Sequence, residues 1–415
     1  MQWSPFFPKV IEDPSVGHQY LLSECPVHHC EAFNPPFFTI SRYADVQQEL
    51  RDTKTFSSHF GQGPRFTEPL GMLCDAPQHT EMRSLVQQAF TPSAIKDLRP
   101  TITKLTHKLI DEIIVGDESF ELHDDFAFPL PVLIIAGMLG VPEADLDLFK
   151  RWSDIQVTAM GSEDPSQFAE DQRAFSQYLT NFLDTRRTDI KAHRSVPDDL
   201  LTLIADARLA SGAFIEEADA LSILSQLLVG GNETTTSLIT NLVWRLLEHP
   251  AEWAAIQEDR SLIENAVEES LRFDPPVLGL YRNTTCEVTL HNTKIPTNTK
   301  VWINYAAANR DASVFTDPDK FMIQRPKQRH MAFGLGVHFC LGAVMARMEA
   351  AIALEALLQR FPTLTLSGPG ERIAPFFLWG RKSLHLTHTQ LDRLKTQIEC
   401  QGTEHNAGLV KKVVI

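Results

Sequence analysis

Long apolar runs are missing from this chain. Among its 415 residues no stretch reaches the ~18 consecutive apolar residues of a membrane-crossing helix, so no anchor is expected. The opening, Met1-Gln-Trp-Ser-Pro, has neither the basic flank nor the apolar core of a secretory leader. Cysteine is sparse. Cys25, Cys30, Cys74, Cys286, Cys340 and Cys400 are scattered and suggest no disulfide framework. That fits a reducing compartment, and a cytoplasmic protein is expected. Positive charge is also short: 38 Lys and Arg face 53 Asp and Glu, a net charge of −15. Such a balance argues against general nucleic-acid binding. No GxGxxG follows a strand, so neither a nicotinamide nor a flavin domain is expected.

What is there reads as a large globular chain. Hydrophobic residues make up 43% and charged residues 22%, so a sizeable core can be buried. Phe37–Ser41 is strand-like, Tyr43–Leu50 a short helix and Ser57–Leu73 a loop. From Pro92 to Leu209 the spacing is mostly helical. Breaks fall at Val115–Asp117, Gly140–Pro142, Gly161–Pro165 and Ser195–Pro197. Cys286–Asn304 alternates as hairpin strands, with turns at His291-Asn292 and Pro296–Asn298. Leu364–Leu366 and Leu384–Leu386 read as further strands.

Two stretches break local rules. The first is Phe333–Gly342, where Cys340 lies between glycines just before a helix expected over Ala343–Leu358. Gly334 and Gly336 permit a tight turn. A cysteine at a helix N-terminus is favoured as a thiolate and suits a soft or borderline metal, haem iron among them. A buried structural cysteine is the plain alternative. The second is Gly230-Gly-Asn-Glu233-Thr234-Thr-Thr, inside a helix expected over Glu216–His249. Each glycine there costs roughly 1 kcal/mol against alanine. Thr234 lies four residues after Gly230, and its hydroxyl can bond the Gly230 carbonyl and open the helix ladder. The resulting groove could hold a diatomic gas and a water. A further short cluster, Cys25-Pro-Val-His28-His29-Cys30, offers four metal-ligating side chains. The plain reading there is a surface loop leading into a small sheet.

Phe333-Gly-x-Gly-x-His338-x-Cys340-x-Gly342, followed by Ala346-Arg347, resembles the haem-ligand signature of the cytochrome P-450 family. The likeness runs over roughly residues 30–387. It implies a mainly α fold with a smaller β region, a triangular prism of helices enclosing haem b. Residues 1–388 would form one catalytic domain. The tail, 389–415, lies outside the likeness; a short helix at Leu391–Cys400 and a β-prone end at Val410–Ile415 are its only features. By resemblance Cys340 is the axial iron ligand, and Phe333, Gly334 and Gly342 shape its loop. His79 and Arg83 share a helix face at i, i+4; with Arg282 and His338 they resemble the haem-propionate ligands. Gly230, Glu233 and Thr234 resemble the oxygen-activation motif. Glu269 and Arg272, with Arg325 assigned as their partner, resemble the trio that buttresses the ligand loop. Lys320 and Met322 depart from the family pattern, where Arg and Asp are usual.

The resemblance also implies a pocket, for which Leu227, Leu228, Val277, Leu278, Leu280, Phe376 and Phe377 are the candidates. Their apolar character suggests a lipophilic small-molecule substrate. The helices flanking Gly161–Pro165 read either as a mobile cap over its entrance or as core. The implied reaction is haem-thiolate monooxygenation with O2, by a monomer taking electrons from a separate iron–sulfur ferredoxin and its reductase. A peroxide-driven peroxygenase and a haem gas sensor are the rival readings.

Overall fold

The computed structural model describes residues 3–114, 118–162, 164–361 and 363–389. The expected break at 115–117 and the tail beyond 389 lie outside the described residues.

The central helix, Glu217–Glu248, is 32 residues long, about 48 Å at ~1.5 Å per residue. Its ends suit its dipole, with Glu217 and Asp219 in the first turn and Arg245 in the last. No single stripe of it is apolar, because it is packed from several sides. Pro129–Leu139, Leu146–Gly161, Ile263–Phe273 and Ala343–Arg360 all rest against it. Gly231 serves that packing: a Cβ there would stand 3.4 Å from Ile135 Cγ1. The helix is continuous through Gly230 and Thr234, so the expected opening of its ladder is not a break in the element. Pro129–Leu139 ends where the sequence predicts, at Gly140, whose φ of +73° is the left-handed cap conformation.

A five-stranded sheet flanks the helices. Its order is Val27–Cys30, Phe37–Ile40, Lys300–Asn304, Gly279–Thr284, Phe56–Ser57. Only the pair Phe37–Ile40 and Lys300–Asn304 is parallel. The Cys25–Cys30 segment is therefore corrected. Val27–Cys30 is an edge strand, and alternation sends its side chains to opposite faces. His28 and Cys30 are buried while His29 is exposed and pairs with Glu31 at 3.4 Å. Cys25 Sγ comes within 3.6 Å of His28 Nδ1, but these residues do not gather into a metal-binding group among the described residues.

The hairpin Val288–Leu290 and Thr293–Ile295 turns at His291 and Asn292, both at positive φ. A three-stranded sheet joins Ser119–Glu121, His385–Thr389 and Thr363–Leu366. Its first strand interrupts a region read as helical, and a π-turn follows at His123–Ala127. No helix among the described residues is long and apolar enough to cross a membrane.

Candidate functional site

The cysteine loop is held by its own backbone. The Cys340 N–H donates to the Phe333 carbonyl at 3.0 Å. Between them Gly334 and Gly336 take φ of +66° and +77°, a region that disfavours residues with a Cβ. Arg347, on the first turns of Ala343–Arg360, lies over the Phe333 ring at 4.4 Å. Its guanidinium is fixed by Glu268, which also meets His330 at 3.1 Å. Burial pushes the Cys340 thiol up, against the pull of the Gly342 N–H, Arg83 and Arg347. The helix start alone therefore does not make it a thiolate; a bound cation would.

Beside this loop lies a basic cluster, with the Asp75 carboxylate acting on His79 and Arg282 without an ion pair to Arg282 among the described residues. His79 is buried and neither ring nitrogen has a partner. The His338 ring stands 4.1 Å from it, and His338 Nε2 is likewise buried and unpartnered. Arg282, on strand Gly279–Thr284, is buried and donates to the Tyr281 carbonyl at 2.8 Å. Arg83 donates to the Phe339 carbonyl at 2.7 Å. No ion pair to Arg83 or Arg282 occurs among the described residues. Burial pushes His338 down to about 2, and Arg282, His79 and Arg83 add to that shift. Burial, then Arg83, also lowers His79. Arg282 is a buried cation with no ion pair among the described residues, which is costly, and with the unpartnered imidazoles of His79 and His338 it fits a carboxylate-bearing group.

Two glycines leave room beside them. A Cβ at Gly342 on the cysteine side, or at Gly230 on the central helix, would meet nothing within 4 Å. Thr234 Oγ1 donates to the Gly230 carbonyl at 2.7 Å, the bond its spacing predicts. Glu233 is buried, with the Ser237 hydroxyl 3.5 Å away. Burial, with Asp154 adding, pushes its carboxyl up to about 8. The residues present fit a haem: a sulfur ligand, a basic cluster for its carboxylates and room beside Gly342 and Gly230.

Buried Glu269 gathers buried Arg272 and half-buried Arg325. Arg272 Nε and Nη2 both reach its carboxylate at 2.8 Å, and Arg325 Nε reaches it at 3.2 Å. Arg272 also donates to the carbonyls of Asn309, Pro318 and Lys320. Lys320 and Met322 take part through their backbones, Met322 N–H to Glu269 at 2.9 Å. Their unusual side chains are therefore no obstacle here.

The pocket candidates divide. Leu227 and Phe377 retain a little surface, and Val277 and Leu280 are half-buried. Leu228 has none at 0% exposure, so it lines no open space and is core. Leu278 and Phe376 line a small cavity with Trp3, His18 and Trp302, and Phe376 packs 4.8 Å from Phe6. Leu228 is thus core, while Leu278 and Phe376 pack toward the N-terminal aromatic residues on one side. Sequence reasoning also missed two neighbours of the basic cluster. Gln62 Nε2 is 3.3 Å from His338 Nδ1, and buried Lys300 stands close enough to Arg282 for the two charges to interact. No local pattern marks either residue.

Residues 134–385 match the family model described as Cytochrome P450. The chain is 38% identical over 365 residues to Cytochrome P450 107B1 of Saccharopolyspora erythraea, covering 83% of this chain and 87% of that protein. It is 38% identical over 348 residues to the Erythromycin C-12 hydroxylase of the same organism, covering 81% and 85%. The solved structure of Cytochrome P450 CYP109Q5 from Chondromyces apiculatus superposes with a TM-score of 0.83 at 34% identity, covering 93% of this chain and 98% of that one. The expected mainly helical P450 fold with its β region is thus present. The chain belongs to the cytochrome P450 family and is a monooxygenase acting on small molecules.

Proposed function

We propose that residues 1–388 form a haem b-dependent hydroxylase of lipophilic small molecules, working in the cytoplasm with electrons from an iron–sulfur ferredoxin and its reductase. The observation that carries the haem reading is the basic cluster beside the Cys340 loop, whose buried imidazole nitrogens lack partners and whose arginines form no ion pair among the described residues. Haem b, once bound, supplies the iron at which O2 is activated and one oxygen atom is delivered to the substrate. Cys340 would hold the iron through its sulfur. His79, Arg83, Arg282 and His338 would hold the two carboxylates.

On the central helix, Thr234 donates its hydroxyl to the Gly230 carbonyl, where it can hold a proton. Glu233 carries a proton at neutral pH, because its carboxyl is pushed up to about 8. The charges of Asp154 and Lys382 act on that carboxyl, which suits a proton source fed from the surface. Leu227, Val277, Leu280 and Phe377 would exclude water and receive an apolar substrate. The relative named for erythromycin hydroxylation supports a bulky lipophilic substrate. Val337, Phe339 and Val344 are 49%, 40% and 38% exposed around the cysteine loop, an apolar face suited to the electron donor. The five described cysteines are all free, in keeping with a reducing compartment.

The test is optical. Purified protein should bind haem b, and its reduced CO complex should show the red-shifted Soret band of thiolate ligation. Cys340→His should abolish that shift while haem remains bound. An unchanged band in the variant would remove Cys340 as the ligand. Turnover with reductant and O2, but not with peroxide alone, would distinguish the proposed cycle from a peroxygenase.

A further inference from the structure

The last turns of the central helix meet the hairpin Glu371–Arg372 and Arg381–Ser383, and two arginines stand side by side there. Arg372 and Arg381 are register partners across the hairpin. Arg381 is 7% exposed, so water hydrates little of it, and Arg372 is half-buried. Neither forms an ion pair among the described residues. Arg372 Nη1 donates to the Ile373 carbonyl at 3.1 Å, and its Nη2 to the Pro375 and Leu378 carbonyls at 3.0 and 2.8 Å. Its Nε is buried without an acceptor. The Arg381 guanidinium makes no hydrogen bond at all among the described residues, and its Nε is sealed from water.

Two indoles complete the cluster. The Arg381 guanidinium carbon lies 3.6 Å from the centre of the Trp244 ring and 4.9 Å from that of Trp379. Both indole N–H groups are buried and lack an acceptor. The plain reading is a cation stacked on aromatic rings, and stacking does stabilise the charge. It engages only the faces of the planes. The N–H bonds of a guanidinium lie within its plane, so stacking leaves them unmet.

The acids whose charges act on Arg381 are engaged elsewhere. They are Asp274, Glu248 and Asp13. Arg245 holds both Asp274 and Glu248, and Arg310 also pairs with Asp274 at 3.6 Å. Asp13 accepts from the Ser15 N–H and hydroxyl. The two arginines are costly as they stand. Burial, with Arg381 adding, pushes Arg372 down to about 10, and burial, with Arg245 adding, does the same to Arg381. Buried donors without acceptors and a buried charge without a counter-ion point to a missing anion.

We propose that this cluster is a binding site for a small inorganic oxyanion, phosphate or sulfate, taken in the plane of the Arg381 guanidinium by its two Nη groups. Paired oxygens match that fork. The anion offsets the repulsion between Arg381 and Arg372 and so holds the hairpin on the central helix. The contact to be held is close: a Cβ at Gly380, beside Arg381, would collide with the Ser237 side chain, one helical turn after Glu233.

The experiment titrates the purified protein with sodium phosphate at constant ionic strength, with chloride making up the balance. Tryptophan fluorescence should follow a one-site curve that is half-complete below about 10 mM. Hydrogen exchange of residues 371–383 should slow with phosphate. Arg381→Met keeps the stem against Trp244 and removes the fork. It should bind phosphate at least about tenfold more weakly, and its exchange should not respond. If that variant does not fold, Arg381→Lys decides in its place. It keeps the charge without the fork and should bind at least about threefold more weakly. Absence of a saturable response in the wild-type protein, or the same curve in the variant, overturns the proposal. So does a response that climbs without saturating in both proteins, which is the general effect of an excluded salt. Neither readout needs haem, so failure here leaves the haem reading untouched.

Discussion

At Gly336 a methyl group would stand 2.6 Å from the Leu50 carbonyl oxygen, on a backbone with φ of +77°. Neither partner is a flexible side chain, so Gly336→Ala should cost about 1–3 kcal/mol. A thermal melt would read this as a clear fall in Tm. Gly342 is the contrast. A Cβ there meets no atom within 4 Å, so Gly342→Ala should melt like wild type without haem yet retain haem less well. Equal melting of the two variants would show that the loop is not held as described. Thr234 invites a different measurement. Thr234→Ala removes the hydroxyl bonded to Gly230 without disturbing the buried core. Haem and azole binding should persist, while a larger share of the O2 consumed should leave as peroxide. Unchanged coupling of reductant to product would count against the proton role.

The trio at Glu269 operates on elements. One carboxylate joins helix Ile263–Phe273 to the segment around Met322 and Arg325, while Arg272 holds three carbonyls from Asn309 to Lys320. Both Glu269 and Arg272 are buried. Glu269→Ala would leave two guanidiniums without their counter-charge, a loss of about 3–5 kcal/mol. Denaturant unfolding should show it as a lowered midpoint. A loss below about 1 kcal/mol would place the trio with surface ion pairs. The central helix works on the same scale. Its glycines are tolerated because neighbours pack on several faces, so packing outweighs propensity.

For the whole molecule, buried acids set a pH dependence. Burial pushes Glu49, Glu233 and Glu349 from an ordinary value of 4.5 up to about 8. Between those values the folded chain holds protons that the unfolded chain has lost, so stability falls as pH rises. Buried histidines act oppositely but lower. His18 is pushed from 6.5 to about 3, so its effect on the slope is already halved at pH 6.5 and fades above it. Lys300, pushed from 10.5 to about 8, adds stability only above that point. The acids therefore dominate from pH 6.5 to 8, each contributing up to ~1.4 kcal/mol per pH unit. Tm should fall across this window, and Glu349→Gln should flatten the slope by about a third. A flat or rising profile in the wild-type protein would refute this account.

The parts of the site fixed by spacing along the chain were legible in the sequence. The glycine-flanked Cys340, the four-residue step from Gly230 to Thr234 and the shared face of His79 and Arg83 follow from turn and helix periodicity. Most helix ends were legible too, because Gly140 and the prolines mark them locally. Tertiary structure alone decided what depends on distant segments meeting. Strand Ser119–Glu121 exists because His385–Thr389 pairs with it, and local sequence carries no trace of that partner. Leu228, Leu278 and Phe376 were apolar in the right places, but chain closure packed them into core and an N-terminal aromatic cluster. The hydrogen bonds from Gln226 to the Leu70 carbonyl and from Lys300 to the Phe60 carbonyl arose the same way. Periodicity assigns a residue to a face, but only the folded chain determines what that face meets.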